Sequence, residues 1–217
     1  NFKNSEVLGI NEVTDGQAIT CSLGLENAND DASLLIAATD NAMIYDEIEY
    51  QKLINDPNVD AIIFTFRNHT SSKINPHMYG WVKTNGNKAI GVSVKSPISD
   101  NPIRDHAIVG AFYFRKVEFF NNALKEMIAS SIKVNGEYYV DSLMAVLTDS
   151  GHNVRVFEVE DYICWGTPND YETFIYWQSF FSKVDWHDYT LENDITVDKN
   201  KMHEIVKKYQ TKNQEYV

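Results

Sequence analysis

The sequence predicts an α/β domain built on a mixed sheet, and three observations carry that expectation. Residues 32–38 and 60–67 ("DAIIFTFR") are apolar at consecutive rather than alternating positions, the pattern of strands covered on both faces. Asp46 to Ile54 between them reads as a short helix with Ile48 and Leu53 facing in, so the order is strand, helix, strand. The stretch "YGWVKTNGNKAIGVSVK" then places Asn85-Gly86 as a two-residue turn between two strands, which adds antiparallel pieces to a parallel core.

The remaining elements follow in order. "AIVGAFYF" is a further strand, after a loop rich in Pro, Ser and Asp. Phe120, Leu124, Met127 and Ile128 form one helical stripe, and Val140, Leu143, Met144 and Leu147 form a second that stops at Gly151, a C′ glycine. "NVRVFEV" is again strand-like. Thr167-Pro168-Asn169-Asp170 starts a helix with an N-cap threonine, proline at N1 and an acid at N3. That helix carries Tyr171, Phe174, Ile175, Trp177 and Phe181, an aromatic stripe whose simplest role is core packing. The composition turns polar beyond Ser182, with a last helix expected over 198–210. The expected division is a main domain over 1–181 and a polar C-terminal extension over 182–217.

Length and charge narrow the function classes. A chain of 217 residues has room for one domain with a sizeable core and an appendage. A formal net charge of −12 argues against nucleic acid or an anionic membrane surface as partner, since both need a basic face. Cys21 and Cys164 lie far apart and form neither a disulfide framework nor a paired metal motif, which favours a reducing compartment. No apolar run approaches the length of a membrane span, and "NFKNSEVLGI" lacks the form of a signal peptide. The expectation is a soluble cytoplasmic protein.

Several residues could carry chemistry. "LLIAATDN" is a buried-looking strand that ends on Asp40, and a carboxylate at the carboxyl edge of an α/β sheet is placed to hold a divalent metal or a ligand hydroxyl. A plain turn aspartate accounts for the same residue. Thr14-Asp15-Gly16 precedes a helix containing Ala18 and Cys21, where a glycine lets backbone approach a ligand and free N–H groups face an anion or a base edge; a helix start alone explains these letters too. Lys95 follows a strand and precedes Ser96-Pro97, a site for a phosphate-binding point charge if that strand borders the Asp40 edge. Glu137 and Asp141 open a helix, where acids are favoured by the dipole or could accept hydrogen bonds from sugar hydroxyls. The histidines have no metal spacing, and there is no G-x-S-x-G elbow, Walker A loop or C-x-x-C.

Taken in order, "TDGQA", "LLIAATDN", "YGWVKTNGNKAIGVSVKSP", "IVGAFYF", "NGEYYVDSLM" and "YICWGTPNDYETF" resemble the motifs of the sugar-phosphate nucleotidyltransferases over residues 8–181. The resemblance implies a Rossmann-like three-layer fold with a mixed sheet. It implies a reaction in which a sugar-1-phosphate, or a similar phosphorylated alcohol, attacks the α-phosphorus of a nucleoside triphosphate to give an NDP-sugar and pyrophosphate, as in the supply of cell-surface polysaccharide precursors. Asp40 would bind Mg²⁺. Gly16, Gln17 and Asn41 would lie against the nucleotide, Lys95 would hold the acceptor phosphate, and Tyr79, Gly80, Gly110 and Glu137 would line the acceptor site. A choline-phosphate type of acceptor would call for an aromatic cage, for which Tyr79, Trp81, Tyr138 and Tyr139 are candidates. The implied partners are small molecules, and a homo-oligomer stays open.

Three departures from the family pattern accompany these matches. Nothing like the family's G-x-G-x-R triphosphate loop lies before residue 8, so the expectation is that this strand-loop segment is absent and that a sheet edge and apolar face are left open. Cys164 occupies the position of the second metal-binding aspartate, so Asp161 or water would substitute. Val94 replaces the glutamate before the lysine. Two rivals remain: a metal-dependent glycosyltransferase of related fold, disfavoured by the lack of D-x-D around Asp40, and a non-catalytic nucleotide or sugar-nucleotide binding domain.

Overall fold

All six residues of the strand β3 (Ala61–Phe66) are buried, and their side chains alternate between two separate cores. Ala61 and Ile63 belong to one core, and Ile62, Phe64 and Phe66 to the other. This is the physical content of an uninterrupted apolar run: both faces of the sheet are covered, so neither parity of position tolerates a polar residue. The computed structural model describes residues 5–208. These fall into two units, whose boundary lies between Tyr162 and Ile163.

In the first unit, α1 (Gln17–Leu23) precedes β1 (Leu34–Ala37) and β2 (Asn41–Ile44), and α2 (Glu47–Asn55) leads into β3. A short helix α3 (Thr70–Ile74) follows, then the hairpin β4 (Gly80–Asn85) and β5 (Lys88–Val94), the long strand β6 (His106–Phe114), the helices α4 (Val117–Ala129) and α5 (Val140–Asp149), and β7 (Val154–Glu158). β8 (Asp161–Cys164) begins in this unit. The principal sheet is mixed, in the order β1-β6-β3-β7-β5-β4, with β4 pairing back onto β6. Among the described residues of this sheet, only β3 and β7 run parallel and the other pairings are antiparallel, so the parallel core expected from the sequence reduces to one pair. The sheet closes because the β4–β5 hairpin curls, touching β7 only at Lys88↔Arg155 and β6 at two residues.

α1, α4 and α5 supply Ala18, Phe120, Leu124, Met127, Val140, Leu143, Met144 and Leu147 to the core on one face. The opposite core holds Phe64, Trp81, Tyr113 and Phe157, with Tyr50, Leu53 and Ile54 of α2 packed against it. Three expectations are corrected. Ile48 does not face in: it is 69% exposed, since Asp46 caps α2 by accepting from the Ile48 and Glu49 amides and so fixes the register that points Leu53 inward. β1 is not covered on both faces; it is an edge strand with Leu35 half exposed. The hairpin loop is Gly86-Asn87, one residue later than expected, because Asn85 pairs with Lys88 and the positive φ falls on Gly86.

The second unit contains α6 (Pro168–Phe181) and α7 (Met202–Lys208) around a small cluster of Ile175, Leu191, Val197 and Ile205. Thr167 caps α6 as expected, accepting from the Asp170 amide at 3.1 Å. The aromatic stripe of α6 is not a core face: Ile175 is buried and Phe174 packs on its cluster, but Tyr171 and Trp177 are exposed. The expected final helix is present to Lys208, and positions 209 and 210 lie outside the described residues. Among the described residues, no helix is long and apolar enough to cross a membrane.

Phe64 lies at 1% exposure, ringed by Tyr45, Tyr50 and Phe157. Phe64→Ala is expected to cost about 3–5 kcal/mol of stability, read as a lowered urea midpoint with unchanged slope.

Candidate functional site

The site is organised by one edge of β6. Phe112 pairs with Ile36 on one side and Ile63 on the other, and Ala107 pairs with Trp81 on one side and Phe66 on the other. Since β3 holds one edge throughout, β1 and β4 share the other edge, β1 along Ala111–Phe114 and β4 along His106–Ala107. Both are antiparallel to β6, so the carboxyl end of β1 faces the amino end of β4 across residues 108–110. A sheet that parts in this way leaves a crevice at strand ends, where ligands of α/β proteins bind.

Asp40 and Asn41 stand at the β1 end of the split. Asp40 is exposed. The Asn41 side chain donates from Nδ2 to the Val109 carbonyl at 2.9 Å, and the Ala38 backbone amide donates to Gly110 O at 3.0 Å, so two β6 carbonyls at the split find partners outside a strand ladder. Gly110 has φ +96°, and a Cβ there would lie 3.3 Å from that of Ala38. Its glycine is required by backbone conformation and by the close passage of β1.

Tyr79, Gly80 and Lys95 stand at the other end. A Cβ on Gly80 would lie 2.7 Å from Oδ1 of Asp141 and 2.8 Å from Cδ1 of Ile108, so the Asp141 carboxyl lies against the bare Gly80 backbone. Lys95, just past β5, is in the left-handed region at φ +58°. Its amide donates to Tyr79 O at 3.1 Å, its Nζ donates to Met78 O, and the ammonium lies 5.4 Å from the Tyr139 ring centroid. Burial pushes the Asp141 carboxyl up to about 6, against the opposing pull of the Lys95 charge.

Gly16 and Gln17 meet the same segment further upstream. The Ala18 amide donates to Tyr138 O at 2.9 Å, and the Tyr138 amide donates to Asp15 O at 2.8 Å. Gly16 has φ +120°, and a Cβ there would sit 2.6 Å from the Tyr138 nitrogen. This glycine is therefore demanded by the chain packed on it, and Gln17 is the exposed member of the pair. Lys133 closes the turn by pairing with Asp15 at 2.8 Å over the Tyr138 ring. Glu137 is exposed beside it.

Residues 137–141 thus run from Gly16 at one end to Gly80 and Lys95 at the other. The segment joins groups that lie far apart in sequence. The Tyr79 ring is turned into the core against Phe66, and its hydroxyl donates to Ser71, so what Tyr79 offers the crevice is backbone. The aromatic cage is contradicted: Trp81 and Tyr79 lie in one core and Tyr138 in the core across the sheet. Their rings cannot surround one cation, and Tyr139 already faces Lys95.

Among the described residues, no group of three or more His, Cys, Asp or Glu is placed to hold a metal. Asp161 does not stand in near Asp40. The backbone amide of its neighbour Glu160 donates to Ile44 O, at the far end of β2, roughly 10 Å along the strand. Cys164, in the second unit, donates its thiol at 3.5 Å to the Asp170 carboxylate. One hard carboxylate at Asp40 fits Mg²⁺ carried chiefly by substrate phosphates and water, the usual mode for that ion.

No family model and no curated protein matches the chain. Solved structures do. A nucleoside-diphosphate-sugar pyrophosphorylase from Vibrio cholerae RC9 superposes with a TM-score of 0.59 at 23% identity, covering 76% of this chain and 66% of that one. A putative glucose-1-phosphate thymidylyltransferase from Bacillus anthracis, in complex with a sucrose, gives 0.55 at 15% over 75% and 61%. The inositol-1-phosphate CTP transferase from T. maritima gives 0.51 at 14% over 72% and 58%. The chain thus has the mixed α/β fold found in nucleotidyltransferases, and it spans less than two thirds of the length of these structures.

The buried Asp141 gives this site a signature in stability. The folded state keeps the Asp141 proton up to about pH 6, whereas the unfolded chain releases it near the ordinary carboxylate value, so between the two the native state binds more protons. Its contribution therefore favours folding at low pH and is lost as pH rises through about 6. Asp141→Asn is expected to flatten that slope and to gain about 1–3 kcal/mol above pH 7, measured by urea unfolding at several pH values.

Proposed function

We propose that this chain is the nucleotidyltransferase part of an enzyme joining a nucleoside triphosphate to a sugar-1-phosphate or similar phosphorylated alcohol, releasing pyrophosphate. The observation that carries the reading is the split edge of β6, which sets an exposed carboxylate at one lip and a lysine at the other, within a fold shared with enzymes of that class. The resemblance of six motifs in order supports it, as does the closeness of Gly16, Gly80 and Gly110 to the backbone or side chains packed on them. The likeness of the whole arrangement to a Rossmann-like nucleotide-binding half belongs to this reading. So do a cytoplasmic site of action, where both substrates are found, and a place in polysaccharide precursor synthesis.

Each residue then has a task. Gly16, Gln17 and Asn41 border the nucleotide, and Gly80, Gly110 and Glu137 border the acceptor. Lys95 holds the acceptor phosphate, its Nζ aimed by the Met78 carbonyl and the Tyr139 face. No covalent intermediate is needed, so the protein's work is to align two polyanions and to offset their mutual repulsion. Mg²⁺, when bound at Asp40, would supply charge neutralisation at the phosphates.

The test is pyrophosphate release from a panel of nucleoside triphosphates and phosphorylated acceptors, using the full-length gene product. Asp40→Asn is expected to reduce turnover at least about a hundredfold; near-normal turnover would remove Asp40 from the mechanism. Lys95→Ala is expected to raise the acceptor KM far more than the nucleotide KM, and equal effects on both would sink its role. Nucleotide binding without pyrophosphate release from any pair would instead mark a binding domain.

A further inference from the structure

We propose that Asp141 is the built-in counter-charge of Lys95 and takes up a proton from solvent when a dianion binds beside that lysine. The inference rests on the reading of Lys95 as the acceptor-phosphate group, and it assigns to the same subsite a proton linkage and a positioning residue.

Geometry carries it. Asp141 lies in the first turn of α5, and its carboxyl and the Ile108 methyl both crowd the place where a Gly80 side chain would start. Gly80 has no side chain to shield it, and a Cβ there would displace it. Tyr139, two residues back at the N-cap of α5, presents its ring to the Lys95 ammonium. The Lys95 charge acts on the Asp141 carboxyl without the two forming a close ion pair. The other titratable groups facing this cluster are His77, whose Nδ1 lies 3.1 Å from Lys95 O, and Glu137, which acts on the Tyr139 hydroxyl.

Burial disfavours the ionised form of this carboxyl, and the Lys95 charge, together with a backbone hydrogen bond, opposes that effect. A phosphate or sulfate arriving at Lys95 cancels that field and adds like charge of its own, and both changes favour protonation. The bound state therefore holds one more proton than the free state. A single buried carboxyl in this way lets an acidic protein present a net cation to an anionic ligand without keeping an unbalanced charge when empty.

Sulfate is the probe, because it remains a dianion throughout the range where Asp141 titrates. Wild-type protein is expected to bind sulfate more tightly as pH falls from about 8 to about 6, by up to about tenfold per pH unit. Titration calorimetry at pH 7 in buffers of different ionisation enthalpy should show uptake approaching one proton per sulfate. Asp141→Asn should bind sulfate with little pH dependence and more tightly than wild type at pH 8, while His77→Gln should keep the wild-type slope. The calorimetric result needs no variant, so a poorly folding Asp141→Asn does not block the test. Sulfate binding that Lys95→Ala abolishes, but that is independent of pH and takes up no proton in wild type, overturns the role of Asp141 and leaves Lys95 as the anion group. Sulfate that fails to bind wild type, or binds Lys95→Ala equally well, overturns the acceptor subsite and this inference with it.

Discussion

The structure of the first unit depends on the sharing of one β6 edge between two strands that do not meet. β1 takes the end of that edge and β4 its beginning, and neither strand reaches the three residues between them. The Asn41 side chain and the Ala38 backbone amide take up the Val109 and Gly110 carbonyls there, and in doing so fix the turn that carries Asp40. Backbone polar groups cannot be left unpaired beside a core, so the cost of the split is met by residues that also shape the crevice. Gly110 and Gly80 follow from the same constraint. One lies under the departing β1 chain and the other under the arriving carboxyl of Asp141.

Much of this was legible in the sequence where a single element decides the outcome. The run Ala61–Phe66 is buried on both faces as its unbroken apolar pattern requires, and the stripe Val140, Leu143, Met144 and Leu147 faces a core as its spacing requires. Reading failed where the deciding contact lies elsewhere in the chain. Residues 32–38 resemble 60–67 in composition, yet β1 is an edge strand, and nothing local distinguishes a strand with one neighbour from a strand with two. The aromatics of α6 match helical spacing for a core face, but Ile175, Gln178 and Ser179 are the residues that bury. Trp81 and Tyr138 were candidates for one cage, whereas strand alternation in β4 turns Trp81 into one core and Tyr138, in the segment before α5, packs in the core on the opposite face.

The candidate site was legible as letters and not as an arrangement. Asp40, Gly80, Lys95 and Gly110 each stand at a strand end or a backbone constriction, which a sequence marks with glycine and with a polar residue after an apolar run. What joins them is the segment Glu137–Asp141, and its importance comes from contacts with Gly16, Gly80 and Lys95 rather than from its own composition. Asp141 in particular reads as an ordinary first-turn acid until the bare backbone of Gly80 is found beneath it.

A chain with a formal net charge of −12 that handles phosphates must make its attraction local. In the first unit, Arg67, Lys116 and Lys133 are each tied to a part-exposed carboxylate, at 2.6, 2.5 and 2.8 Å. An anion binding at any of them must compete with a carboxylate in direct contact with the cation. Lys95 differs in the kind of group that balances it: a backbone carbonyl, an aromatic face and a carboxyl already poised to lose its charge. Electrostatics therefore separates Lys95 from these other cations on the physical ground of how reversibly its charge is offset. The same argument explains how a strongly acidic surface and a phosphate subsite coexist, since the subsite draws on a counter-charge that a proton can remove rather than on a basic patch.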